Sequence, residues 1–246
     1  MPALTFTAPP HPSTAVNKKP AVTQDPQHPD PHLLPSFSPS TFEHHNEPVI
    51  YLPPLLSSLP ASLPSDSVLP VPPPSQAPLH TESRLPHIDP ASLSLHRALH
   101  HFHPATPSYA AVPYAEGFNW SELELPEDEE REWYVVAFRS KRRDGSDGTP
   151  LYEADRLAHE EAVQNGGLIM YWYGVPDPTT GLNLATCIWQ SRKHALAANS
   201  RPHHIRAMRL AAASFSEYSL ERHVLRKVRG ERGIHVEQYT SGDVGW

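Results

Sequence analysis

Four polar side chains in the C-terminal half of this sequence, Asn183, His194, His204 and His223, could supply acid–base chemistry. Three aromatic residues nearby in the chain, Trp172, Tyr173 and Trp189, could wall an apolar site for it. A histidine that titrates near neutral pH is a suitable general base. Each position also has a plainer reading, because aromatic residues on strands are usually core and a lone histidine is usually structurally satisfied. Adjacent residues cannot share one site. His203 and His204 point about 100° apart on a helix, and Arg222 and His223 lie on opposite faces of a strand. His96, His100 and His103 recur at i, i+4 and i+7, a spacing from which metal sites can be built. No carboxylate or cysteine completes that set, so we expect a polar helix face and no metal. Gly166-Gly167 lacks the spacing of a phosphate loop, and no Ser-His-Asp context or zinc spacing occurs. Glu221-Arg222 reads as a structural ion pair. Cys187, within Leu184-Ala185-Thr186-Cys187-Ile188-Trp189, reads as a small core residue of a buried strand.

The elements that must position these residues follow from hydrophobic period and punctuation. Asp89-Pro90 opens a short helix as N-cap and first helical residue, and Leu95, Ala98, Leu99 and Phe102 form its apolar stripe. Trp133 to Ser140 has the β-branched and aromatic content of a strand. Thr149-Pro150 opens a helix to about Asn165, with Leu151, Ala154, Ala158 and Ala162 along one side, and Gly166-Gly167 ends it. Leu168 to Tyr173 alternates as a strand, placing Leu168, Met170 and Trp172 on one face and Ile169, Tyr171 and Tyr173 on the other. A Pro- and Gly-containing loop leads back into an antiparallel strand, Leu182 to Gln190. A helical turn at Arg192–Ala198 precedes a longer helix from Pro202, with Ile205, Met208, Ala212 and Phe215 facing inward. Strands at Tyr218–Val228 and Ile234–Tyr239 close the chain. The order is β-α-β-β-α-β with extensions at both ends, an α+β ferredoxin-like antiparallel sheet. Helices cover one face of such a sheet. The other, rich in aromatic residues, must be covered by a second subunit, by the N-terminal helix or by a ligand.

Composition divides the chain. Of its 30 prolines, 25 precede Gly117, whereas all 11 glycines and all 5 tryptophans lie at or after it. Proline at that density removes backbone donors and prevents ladders. We therefore expect a disordered Pro/Ser/His-rich tail over residues 1–86, a docking helix and linker over 87–116, and an α+β domain over 117–246. The net charge of −7 argues against nucleic acid as a partner. The basic runs Lys141–Arg143 and Arg226–Arg229 read as solvated ends of strands and turns. A single cysteine allows no intrachain disulfide, which favours a reducing compartment, cytosol or nucleus. The apolar segment from Val49 to Pro74 is broken by prolines and lacks the roughly 20 continuous apolar residues of a membrane span.

The stretches Tyr171-Trp172-Tyr173-Gly174, Asn183 to Arg192 and Tyr218 to His223, with Phe118-Asn119-Trp120 and Trp133-Tyr134, resemble an uncharacterised family of fungal proteins. That likeness covers roughly the last 130 residues and brings no activity with it. More distantly, the tryptophan strand followed by Ser191-Arg192, a helical turn and Pro202-His203-His204 is similar to the dimeric α/β-barrel superfamily. That group includes antibiotic-biosynthesis monooxygenases and haem-degrading enzymes. The second resemblance implies a homodimer joined through its sheet and a cofactor-free oxygenase or tailoring enzyme for a small aromatic metabolite. Trp172, Tyr173 and Trp189 would then be pocket walls, with Asn183, His194, His204 and His223 as catalytic candidates. Haem is the other cofactor it allows, with His194, His203 or His223 as axial ligand. The competing expectation is a non-catalytic dimeric binding module whose tail recruits partners.

Overall fold

The computed structural model describes residues 48–53, 89–146 and 149–245, all within one unit, Pro31–Trp246. The remainder of the expected tail, and the turn residues Asp147 and Gly148, lie outside the described residues.

Two strands make the middle of the sheet. β2 (Arg131–Arg142) pairs along nearly its whole length with β4 (Leu182–Trp189) on one side and β5 (Phe215–Lys227) on the other. β3 (Leu168–Tyr173) flanks β4, β1 (Val49–Tyr51) flanks β3, and β6 (Ile234–Gln238) flanks β5. The order β1-β3-β4-β2-β5-β6 is antiparallel throughout. Its four central strands, with the helices between them, are the expected ferredoxin-like arrangement. Composition alone places β1 in the tail. Its Val-Ile-Tyr run, between Pro48 and Pro53, has strand chemistry and prolines only at its ends, where an edge strand tolerates them.

One face carries α3 (Thr149–Asn165), α4 (Arg192–Asn199) and α5 (Pro202–Ser214). The alanine ridge of α3 works as its spacing indicates: Leu151, Ala154, Ala158 and Ala162 are all buried. Small side chains on both helices let α5 approach, with Ala207 packed on Ala154 and Ala158. That contact sets the rotation of α5. His204, Ala207 and Ala211 face the sheet; of the residues expected inward, Met208 borders the same space while 45% exposed, and Ala212 is exposed. Phe215 belongs to β5. Gly167, after the end of α3, has φ +82°, and a Cβ there would lie 2.1 Å from the His194 ring. Only glycine meets both demands.

The alternation expected for β3 is broken by a β-bulge between Leu168 and Met170. The extra residue moves Leu168 to the helix face with Tyr171, while Ile169, Met170 and Trp172 join the opposite core.

That opposite face is covered by residues 89–125 of the same chain. α1 (Pro90–Ala98), capped by Asp89 accepting from Ser92 N–H at 2.8 Å, continues as a 3₁₀ turn and lays down Leu95, Leu99 and Phe102. The short α2 (Tyr114–Gly117) and the turn at Trp120–Glu122 follow. Trp172 is enclosed by Phe102, Tyr109 and Phe118, with ring centroids 6.2, 5.1 and 4.9 Å away. Polar groups are matched as well: Trp133 Nε1–H donates to Ser92 Oγ at 2.9 Å, and Tyr114 Oη meets Thr186 Oγ1 at 2.8 Å. Of the three covers foreseen for this face, the N-terminal helix and the segment after it are the ones present. Stacking the face on a second subunit would require displacing them.

Candidate functional site

Between the helix face of the sheet and helices α3 and α5 lies a cavity of about 120 Å³. Its sheet wall carries several rings, from Phe138 on β2, Tyr171 and Tyr173 on β3, Trp189 on β4, and Phe215 and Tyr218 on β5. Helix α3 contributes Asp155 and His159, one turn apart and therefore on one side of the helix. The space is on the scale of a single small ring.

Asp155 is the group with chemical potential. Burial pushes its carboxyl up to about 6, offset only in part by the Tyr171 hydroxyl, which donates across a long 3.4 Å contact. Among the described residues no Lys or Arg is ion-paired with it. His159 packs edge-on to Tyr171 and Tyr51, at ring centroid distances of 4.2 and 5.3 Å. Burial, then the neighbouring His204, lowers its pKa to about 3, so it is neutral at physiological pH. Burial lowers His204 too, against the pull of Glu161. The site is thus a carboxyl in a shell of neutral rings.

Of the residues singled out from sequence, Asn183, His204, Tyr173 and Trp189 line this cavity. The other three do not. Trp172 points through the opposite face into the N-terminal cover. His194, on α4, is buried with Nδ1 2.8 Å from Ser191 Oγ, and burial lowers its pKa to about 4. His223 sits under the cover, stacked on Tyr114 at 4.6 Å and 3.3 Å from Glu221 Oε2. Glu221 pairs with Arg139 at 2.5 Å rather than with Arg222, since neighbours on a strand face opposite ways. Arg139 also donates to the carbonyls of Ala110 and Val112, fastening the cover to the sheet. Cys187 lines the cavity as an inert thiol: burial pushes its pKa up to about 12, and it accepts from Trp189 Nε1–H at 3.1 Å. His96 is held at 3.0 Å from the Pro53 carbonyl, and no group of residues fit to hold a metal occurs among the described residues.

Sequence reasoning missed Asp155, His159 and Tyr171. One signal was available. Asp155 and His159 each directly follow an alanine of the apolar ridge, four residues apart, on the same flank of it.

The sequence model of the PB2B2.08-like family matches residues 74–238. The chain belongs to the PB2B2.08-like family. A curated relative, UPF0643 protein PB2B2.08 of Schizosaccharomyces pombe, is 32% identical over 137 residues, covering 50% of this chain and 62% of the relative. Among solved structures, a candidate antibiotic biosynthesis monooxygenase from Nitrosomonas europaea matches at TM-score 0.31 and 18% identity, over 37% of this chain and 94% of that one. A candidate monooxygenase from Lactobacillus acidophilus matches at TM-score 0.33 and 7% identity, over 49% and 51% of the two chains. A third, from Fusobacterium nucleatum, matches at 0.33 and 9%, over 50% and 52%. Scores this low carry no residue role to this PB2B2.08-like chain. No helix among the described residues is long and apolar enough to cross a membrane.

Proposed function

We propose that this PB2B2.08-like protein is a small-molecule enzyme that uses Asp155 as a general base on a compact aromatic substrate held between α3, α5 and the sheet. The observation that carries the reading is the isolated carboxyl in an aromatic cavity. With a pKa near 6, Asp155 is mostly ionised at neutral pH yet poorly solvated, the condition in which a carboxylate takes a proton from an acidic C–H or O–H. The ring walls hold a planar substrate, and Tyr171 and Asn183 offer polar contacts at its edge.

Oxygenation is the reaction class to test first, following the sequence resemblance. Asp155 removes a proton from an activated methylene. The carbanion's electron pair forms a C–O bond with dioxygen, and the distal oxygen takes up a proton. Loss of water leaves the ketone, so that CH₂ and O₂ become C=O and H₂O. Haem does not fit this site. The space is too small for a tetrapyrrole, and of its axial candidates His194 and His223 lie outside the cavity while His203 is exposed.

The test is oxygen uptake by the full chain with one- and two-ring phenols and aryl ketones, beside Asp155→Asn. Uptake that rises with pH through about 6 and vanishes in the variant supports the reading. If neither protein consumes oxygen and no compound raises its melting temperature, the reading falls. The second reading is a binding module without catalysis. The filled sheet face and a cavity below the several hundred Å³ of ordinary ligand sites favour it.

A further inference from the structure

β6 pairs with β5 only over His223–Lys227, and Tyr239 N–H then takes the carbonyl of Arg222 at 3.0 Å. Regular pairing of β5 with β2 ends at the other side of Glu217, where the register shifts between Lys141 and Arg142 and leaves Ser216 as the extra residue. Between these limits, Glu217 to Glu221 is regular strand with one edge on β2 and the other without a partner among the described residues. Backbone groups alternate in direction along an antiparallel strand. Since Arg222 faces β6, Leu220 and Tyr218 turn their N–H and C=O groups to the open edge. An edge of this kind templates strand addition, and protected edges carry lysine, proline or a covering element. Tyr218-Ser219-Leu220 carries no lysine or proline and has no covering element among the described residues, and its two large side chains are 47% and 37% exposed.

We propose that this edge is a self-association surface, on which a second copy of the chain pairs antiparallel with β5 about a two-fold axis at Ser219. In that register Tyr218 lies opposite Leu220 of the second copy, and Leu220 opposite its Tyr218. The two exposed apolar side chains therefore cover each other, and every outward backbone group of the open stretch finds a partner. Glu217 comes opposite Glu221 of the second copy, which alone would be repulsive. Here Lys141 stands 3.9 Å from Glu217 and Arg139 2.5 Å from Glu221, so each edge brings two cations with its two carboxylates. Moving the axis by one residue to Tyr218 calls on the irregular Ser216, and moving it to Leu220 calls on Arg222, whose carbonyl is already used. The self-complementary register is therefore unique. The proposal stands on this edge alone and is independent of the chemistry assigned to the cavity.

The experiment is sedimentation equilibrium of the full chain and of Leu220→Lys, with disulfide trapping to read the register. The wild type is a dimer at micromolar concentration, and Leu220→Lys weakens it by about tenfold or more while keeping the circular dichroism spectrum of the folded chain. Paired Ser219 Cα atoms stand about 4.5 Å apart, within disulfide reach. Ser219→Cys therefore forms a linked dimer under mild oxidation, and Glu217→Cys does not. A monomer at every concentration overturns the proposal, whether the edge is bare or occupied by another segment of the same chain. So does a dimer that Leu220→Lys leaves intact, or trapping at position 217 as efficient as at 219.

Discussion

Replacing Asp155 by asparagine removes the one ionisable carboxyl among the described residues that line the cavity while keeping its shape, and burial of that carboxyl sets the sign of the effect. The folded-state pKa of about 6 lies above the ordinary value of 3.8. Between those two values the folded protein binds more protons than the unfolded chain, so stability falls as pH rises through that window. Above it the penalty is complete. Two pKa units correspond to about 3 kcal/mol. Asp155→Asn, which carries no charge at any pH, is therefore more stable than wild type by up to about 3 kcal/mol at pH 7.5, or on the order of 5–10 °C in melting temperature. At pH 3.5 the two proteins differ little. The assay is urea unfolding of both proteins across that pH range, taking the difference at each pH so that all other titrating groups cancel. A difference that does not change with pH, or one that favours wild type at neutral pH, refutes the placement of an ionised carboxyl in an apolar site. A variant that gains stability and loses turnover would also mark Asp155 as a residue retained for function against stability.

Two further outcomes follow from particular contacts. Gly167→Ala meets a strained positive φ and the ring of buried His194 together, and costs more than about 2 kcal/mol in urea unfolding; a loss within experimental error contradicts the close packing of α4 on the α3–β3 turn. The Cys187 thiol, buried with its pKa pushed up to about 12, reacts with a thiol reagent only as fast as the protein unfolds. Rapid labelling of the native protein at pH 8 contradicts its burial.

Most of the secondary structure was legible because it is local. The α3 ridge, the glycine pair that ends it, and the Asp89-Pro90 start of α1 are set by spacing and by residue chemistry a few positions away. What failed was set by partners far along the chain. The bulge in β3 moves Leu168 across the sheet relative to Trp172, and no residue between them announces an inserted position. The face that α5 buries depends on Ala154 and Ala158 of another helix, not on where its own larger apolar residues fall. Val49–Tyr51 was masked by the prolines around it, since three residues are too few to alter a composition argument. At the site, attention to histidine favoured His194 and His223, which packing has used structurally. Asp155 was passed over because a carboxylate on a helix is ordinarily solvated, and only the arrival of α5 and β5 encloses it.

The covering segment also imposes an order of events. Residues 89–125 leave the ribosome before the strands they enclose, and β5, which completes the central pairing with β2, comes near the end of the chain. Until Leu225 is in place beside Trp133, neither face of β2 has its full surroundings, and the apolar stripe of α1 has no finished surface to meet. Pairing of such sequence-distant segments sets the pace of folding in mixed α/β chains. Synthesis of this protein therefore passes through an interval in which Leu95, Leu99 and Phe102 are presented to the cell as an unprotected apolar segment. That interval ends only when the last long strand is made.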